Sequence, residues 1–229
     1  MSIVVVDSDL TLVGDSRRST IRAGVAVRTN DSHPKLVSLA DKDVVFESAK
    51  VIAAARCANV KTSEFMLSHL IQGKLRKLTV QPSKFKAFNA KPGKLLILTV
   101  NGLYLASYKG TKMTIQSVEA PFAMGSGASF AMKLLKRTSM KAPEVTALVC
   151  KMYPNAGGPL IGVTMSPEGK NGPLVTAFSI LNSDAAITQA LHNACISFTG
   201  AADGKDRVLM GGRRRNDNTQ LYERLGVSP

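Results

Sequence analysis

Met1-Ser-Ile-Val-Val-Val-Asp-Ser-Asp-Leu-Thr-Leu-Val-Gly-Asp15 decides how the rest of this chain is read. Ile3 to Val6 is a β-branched run whose stiff side chains pack well on a pleated surface, so it predicts a strand. Asp7-Ser-Asp9 is a tight-turn cluster and Leu10 to Val13 the returning strand. The chain therefore opens on a hairpin with Ser2 at its tip. A small second residue favours loss of the initiator methionine, which makes Ser2 the expected N-terminus. An N-terminal hydroxyl residue carries its own general base, because its α-amine titrates near neutrality. Such a site also needs a carboxylate and a cation close by, and Asp15 and Lys35 are the residues that can supply them.

Outward from the hairpin, Ile21 to Val27 alternates toward an extended segment, and residues 29–34 form a turn built on Asn, Asp, Ser and Pro. Lys35 to Leu39 and Asp43 to Phe46 read as strands around the Asp41-Lys42-Asp43 turn. Alanine-rich Ala49 to Ala58 reads as a helix. A second helix, capped by Thr62-Ser63 and running to about Lys77, carries Phe65, Met66, Leu70 and Ile71 along one face. Lys94 to Val100 is a strand, and Asn101-Gly102 predicts a type I′ turn into Leu103 to Ser107, with Met113 to Val118 continuing the sheet. Beyond Pro121 and Gly125-Ser126-Gly127, helices are expected over Phe130 to Arg137 and Pro143 to Met152, then strands over Gly157 to Thr164 and Pro173 to Ile180. Asn182 or Ser183 caps a helix to about Phe198. Helices before and after runs of antiparallel strands predict an α+β fold: a four-layer αββα sandwich of two antiparallel sheets flanked by helices. Residues 1–199 read as one domain and residues 200–229 as a basic C-terminal extension that packs on a neighbour.

The chain of 229 residues is long enough for one substantial core, and its 45% hydrophobic content fits a globular protein. Without an apolar run of spanning length, and without a leader, a cytoplasmic setting is expected. Cys57, Cys150 and Cys195 are odd in number and far apart, so they read as small buried hydrophobes in a reducing compartment. His33, His69 and His192 lack metal-ligand spacing, and the Gly-rich stretches lack a phosphate loop's Lys-Ser/Thr ending, so no cofactor is expected. The net charge of +14 is the unusual quantity. Between Gly73 and Lys94 stand seven basic residues and no acid, among them Lys74, Arg76, Lys77, Lys84 and Lys86, and Arg213, Arg214 and Arg215 form a second cluster. A solvated face explains such charge most simply; a nucleic-acid or acidic-partner surface is the alternative.

Ser2-Ile-Val-Val-Val, Val-Gly-Asp15, Lys35-Leu-Val-Ser-Leu-Ala-Asp-Lys-Asp-Val-Val-Phe46 and Met-Gly-Ser-Gly127 come in an order that resembles the proteasome β-subunit and HslV peptidase family. The resemblance spans residues 2 to 56 and 94 to 165. It implies the same αββα fold, with Ser2 in place of the family's N-terminal Thr, Asp15 and Lys35 as electrostatic support, and Ser126 as the serine that helps relay the proton. Ser48 and Ala49 fall where the family's backbone amides stabilise the oxyanion, with the bulk of Glu47 as a departure. Matching the Ile-Val run puts Ser2 at the family's second position and Met1 at its first. Threaded on Gly157-Gly158, the family's Asp falls on Tyr153 and its Ser on Ala156. The resemblance further implies a homo-oligomer, such as a ring, peptide substrates and an AAA+ unfoldase as partner.

Three functions follow as expectations. The first is amide hydrolysis of the threonine-peptidase type, with Ser2 as nucleophile. The second is a catalytically inactive, self-assembling structural protein of viral or bacterial kind. The third is a basic nucleic-acid-associated protein that uses the Lys74 to Lys94 segment and the Arg213 to Arg215 cluster.

Overall fold

A computed structural model describes residues 3–22, 25–30, 33–81, 83–86, 90–153, 156–166 and 174–180, with the side chains of 18–30, 86, 166, 174, 179 and 180 excepted. In chain order the elements are β1 (Ile3–Val6), β2 (Leu12–Gly14), β3 (Arg18–Arg22), β4 (Val25–Asn30), β5 (Leu36–Ser38), β6 (Val45–Phe46) and β7 (Ala49–Ala58). There follow α1 (Val60–Ile71), α2 (Lys77–Val80), α3 (Ser83–Lys86), β8 (Gly93–Thr99), β9 (Gly102–Lys109), β10 (Lys112–Val118) and β11 (Phe122–Gly125). The last are α4 (Ala128–Arg137), α5 (Ala142–Met152), β12 (Leu160–Ser166) and β13 (Leu174–Ile180).

Two antiparallel sheets form the centre. The first runs β11-β1-β2-β12-β13 and the second β10-β9-β8-β7-β5, with β6 pairing β7 and a separate β3–β4 ribbon. Pleat alternation assigns each strand's side chains to two cores. Val4, Val6 and Leu12 of the first sheet meet Ile52, Ala53, Leu96 and Leu98 of the second between the sheets. Ile3, Val5 and Val13 point outward against α4 and α5, through Leu134, Val145 and Val149. Ala54, Leu95 and Ile97 point the other way, onto Met66 and Leu70 of α1 and Leu78 and Phe85 of α2 and α3. The expected four-layer αββα sandwich is the observed one.

Two neighbouring elements differ from their sequence readings. Ala49–Ala58 is the strand β7, hydrogen-bonded to β8 on one side and to β5 and β6 on the other. Both its faces are buried, so it shows no polar alternation, and its small side chains let α1 and the first sheet approach from opposite sides. Burial on both sides outweighs the modest helix preference of alanine, which is worth less than about 1 kcal/mol per residue. The next helix also differs. Asn59, not Thr62-Ser63, caps α1 through a bond from the Thr62 amide, and the helix ends at Ile71 before Gly73, whose φ of +65° is the left-handed stop that glycine favours. Met66 and Leu70 face the core as expected, while Ile71 is exposed. The helix expected from 182 to about 198, His192, Cys195 and the 200–229 extension lie outside the described residues. Among the described residues no helix is long and apolar enough to cross a membrane.

Candidate active site

The β1–β2 hairpin, registered Val4↔Gly14, Val5↔Val13 and Val6↔Leu12, carries Asp15 back alongside Ile3. The Asp15 amide donates to the Ile3 carbonyl (3.2 Å), and the Ile3 amide donates to Asp15 Oδ1 (3.0 Å). The carboxylate is thus fixed on the residue that follows Ser2. Its other oxygen, Oδ2, accepts from the amides of Gly157 (3.1 Å) and Arg17 (3.3 Å). Asp15 is fully buried, and burial pushes its carboxyl up to about 6, against the opposing pull of the Ile3 amide, Lys35 and the Gly157 and Arg17 amides.

Lys35 is buried as well, at 5% exposure, and its amide donates to the Asp15 carbonyl (3.1 Å). Gly14 packs closely here: a Cβ there would stand 3.3 Å from Lys35 Cβ, a tight contact. Keeping two charged groups out of water costs several kcal/mol per ion unless they are paired and hydrogen-bonded. Asp15 and Lys35 are thus neighbours, joined by that amide and by the pull of the Lys35 charge on the Asp15 carboxyl.

Ser126 stands at the same end of the first sheet. It directly follows Gly125, which is the partner of Ile3 in the β1–β11 register. Gly127, at φ +77°, has no room for a side chain, since a Cβ would lie 2.8 Å from Val149 Cγ1 and 2.9 Å from the Tyr153 ring. Ser2 and Met1 lie outside the described residues.

Ser48 and Ala49 are not brought to this junction. Glu47 and Ser48, with φ of 50° and 60°, form the two-residue turn between β6 and β7, and Arg76 Nε holds Glu47 at 2.6 Å. Lys35 lies beside Arg56, whose amide donates to the Lys35 carbonyl (2.6 Å). Arg56 is seven residues along the strand from Ala49, roughly 20 Å at about 3.3 Å per residue. The expected oxyanion role for Ser48 and Ala49 is corrected by this geometry, which follows from the misread helix: the strand-to-helix step comes at Ala58–Val60 instead.

Four contributors escaped the sequence reading. The Arg17 guanidinium donates to the Ala156 carbonyl (3.0 Å) and packs against Gly157, where a Cβ would meet its Cζ at 2.7 Å. Gly157 supplies the amide on Asp15. Arg56 donates to the Pro34 carbonyl (2.7 Å) and to Glu64 (2.9 Å), tying the segment before Lys35 to α1, and Glu64 also lies 3.8 Å from His33. Arg17 was legible as a charge two residues after Asp15; the others come from distant segments. Tyr153 packs on Gly127 and Phe130, and Ala156 is buried. Of the basic residues, Lys74, Lys77 and Lys84 are exposed away from the junction, and Arg76 is engaged by Glu47. The Lys86 side chain and Arg213, Arg214 and Arg215 lie outside the described residues. Among the described residues no cluster of His, Cys, Asp and Glu could hold a metal ion.

No protein-family model and no curated protein matches the sequence. Among solved structures the chain is similar to Thiobacillus denitrificans BPH in complex with epoxomicin, at 13% identity and a TM-score of 0.41, over 80% of this chain and 100% of that one.

Proposed function

We propose that the chain is an N-terminal-nucleophile hydrolase of the peptidase type, cleaving amide bonds with Ser2 after loss of Met1. The observation that carries this reading is the buried Asp15–Lys35 pair clamped on the amide of Ile3. In the proposed reaction the Ser2 hydroxyl attacks the substrate carbonyl and gives its proton to its own α-amine. The tetrahedral intermediate expels the leaving amine, which takes that proton, and water then hydrolyses the acyl ester. Lys35 lowers the proton affinity around Ser2, Asp15 holds the start of β1 in place, and Ser126 assists the proton relay. Substrates are peptides, the working form is a homo-oligomer, and an AAA+ unfoldase would deliver folded substrates.

The test combines intact mass with peptide turnover. A mass lacking one methionine, with hydrolysis abolished in Ser2→Ala, is the expected result; a retained Met1 or unchanged turnover in the variant rules the reading out. A second reading, an inactive self-assembling protein, is favoured by Tyr153 and Ala156, which stand where the resemblance places the family's Asp and Ser. That reading expects a large particle by light scattering and no hydrolysis.

A further inference from the structure

The inner face of the second sheet changes character along its length. Leu96 and Leu98 of β8 and Leu103 and Leu105 of β9 face the first sheet and are buried. Two residues further on the same face, towards the Gly93 end, the pleat alternation places Lys94 (β8), Ser107 and Lys109 (β9) and Lys112 and Thr114 (β10), with Gln116 beside Leu105. Ser107 is half-buried and the other five are exposed. The register sets Lys94, Ser107 and Thr114 in one row across three strands, and Lys109 directly opposite Lys112 in the next. Two like charges facing each other across an antiparallel pair destabilise it, and among the described residues no carboxylate pairs with either lysine. An anion on this shelf would relieve the repulsion.

We propose that this shelf of β8–β9–β10 binds the phosphate backbone of double-stranded DNA, independently of any hydrolytic activity. Lysines with Ser, Thr and Gln are the side chains that contact phosphates. A protein partner would need an apolar anchor at the centre of the contact, and the six shelf residues offer none. A second copy of the chain is disfavoured, since both copies carry +14 and the charges among the six shelf residues are all positive. Single strands bind by stacking bases on exposed rings. Here the nearest ring, Tyr108, points to the opposite face and stacks on Phe85 with centroids 4.0 Å apart. An RNA duplex is recognised through the 2′-hydroxyls of its wide minor groove as well as its phosphates, so preference for it over DNA is an outcome that the experiment separates. The exposed lysines on the helical side make a poorer site, because Arg76 at their centre is already held by Glu47 at 2.6 Å.

The experiment measures fluorescence anisotropy of a short random-sequence DNA duplex with the full chain, between about 50 and about 200 mM salt. Three proteins are compared: wild type, the shelf variant Lys94→Gln/Lys109→Gln/Lys112→Gln, and the control variant Lys74→Gln/Lys77→Gln/Lys84→Gln, which removes the same charge from the helical side. The shelf variant is expected to lose about 2.7 from the slope of log affinity against log salt, while the control keeps most of its slope. A shelf triple of Lys→Arg keeps the wild-type slope. Equal losses in both Gln variants would mean that net charge alone acts, and would overturn the proposal. So would no duplex binding by wild type, tighter binding of a single strand or an RNA duplex, or polyglutamate competing as well as DNA.

Discussion

Asp7 and Asp15 sit at opposite ends of one hairpin, and they differ in a single respect. Each is buried, and each accepts three backbone amides. Asp7 takes those of Asp9 (3.1 Å), Thr11 (3.0 Å) and Ala142 (2.9 Å), which fixes the β1–β2 turn and docks it on the first turn of α5. Asp15 takes those of Ile3, Arg17 and Gly157, which fixes the start of β1 and the turn before β12. Only Asp15 has a buried cation beside it; the lysine near the Asp7 turn, Lys141, pairs with Asp9 at the surface. Asp7 demonstrates that three amides suffice for a structural carboxylate in this fold. The buried lysine beside Asp15, which has no counterpart at Asp7, is what the hydrolase reading explains.

The comparison breaks most sharply at Lys35. Lys35→Met keeps the length of the stem and removes the charge. Under the hydrolase reading it lowers kcat by about 10³-fold, the scale of a lost proton-transfer group. It also leaves Asp15 buried without its counter-charge, which costs about 3–5 kcal/mol near neutral pH. Peptide turnover and urea unfolding read the two effects separately. Lost stability with unchanged turnover would make Lys35 structural after all, and Asp15 no different in kind from Asp7.

A smaller effect is expected at the other end. Asp7→Ala strands three amides, of which that of Ala142 starts a buried helix, so a loss of about 3 kcal/mol in urea unfolding is expected. Turnover per folded molecule should stay as in wild type, because the turn lies at the far end of β1 from Ile3. A matching fall in kcat would show that the two ends of the hairpin are coupled and would blur the distinction between them.

The sequence made the charge pair readable and hid what surrounds it. Asp15 and Lys35 were legible through the order of the segments that carry the resemblance, although they follow β2 of one sheet and precede β5 of the other, where no strand register relates them. Ala49–Ala58 was not, because periodicity cannot tell a strand buried on both faces from a helix. That misreading carried the oxyanion assignment to Ser48 and Ala49. The correct boundary had a signal in Asn59-Val-Lys-Thr62, where the Asn59 side chain accepts the Thr62 amide as an N-cap does. Arg56 and Gly157 had no comparable local signal, since each acts on groups brought from elsewhere by the fold.

The subtlest distinction is the titration of Asp15. Burial holds its carboxyl at about 6 in the folded chain, above the ordinary 3.8 of the unfolded one. Between these values the folded chain binds a proton that the unfolded chain has released. Asp15 therefore contributes its stability fully below about pH 4 and loses it as pH rises through about 6, by on the order of 3 kcal/mol. Urea unfolding of wild type and Asp15→Asn from pH 4 to 7.5 isolates this slope, since other differences between the two add a constant. Wild type is expected to fall relative to the variant from about pH 4 to about pH 6 and then to run parallel with it. Hydrolysis, which needs the ionised carboxylate beside Lys35, should rise over the same interval in which stability falls. A wild type that gains on the variant across this range would mean that Lys35 and the three amides outweigh burial, leaving Asp15 as fully committed to structure as Asp7.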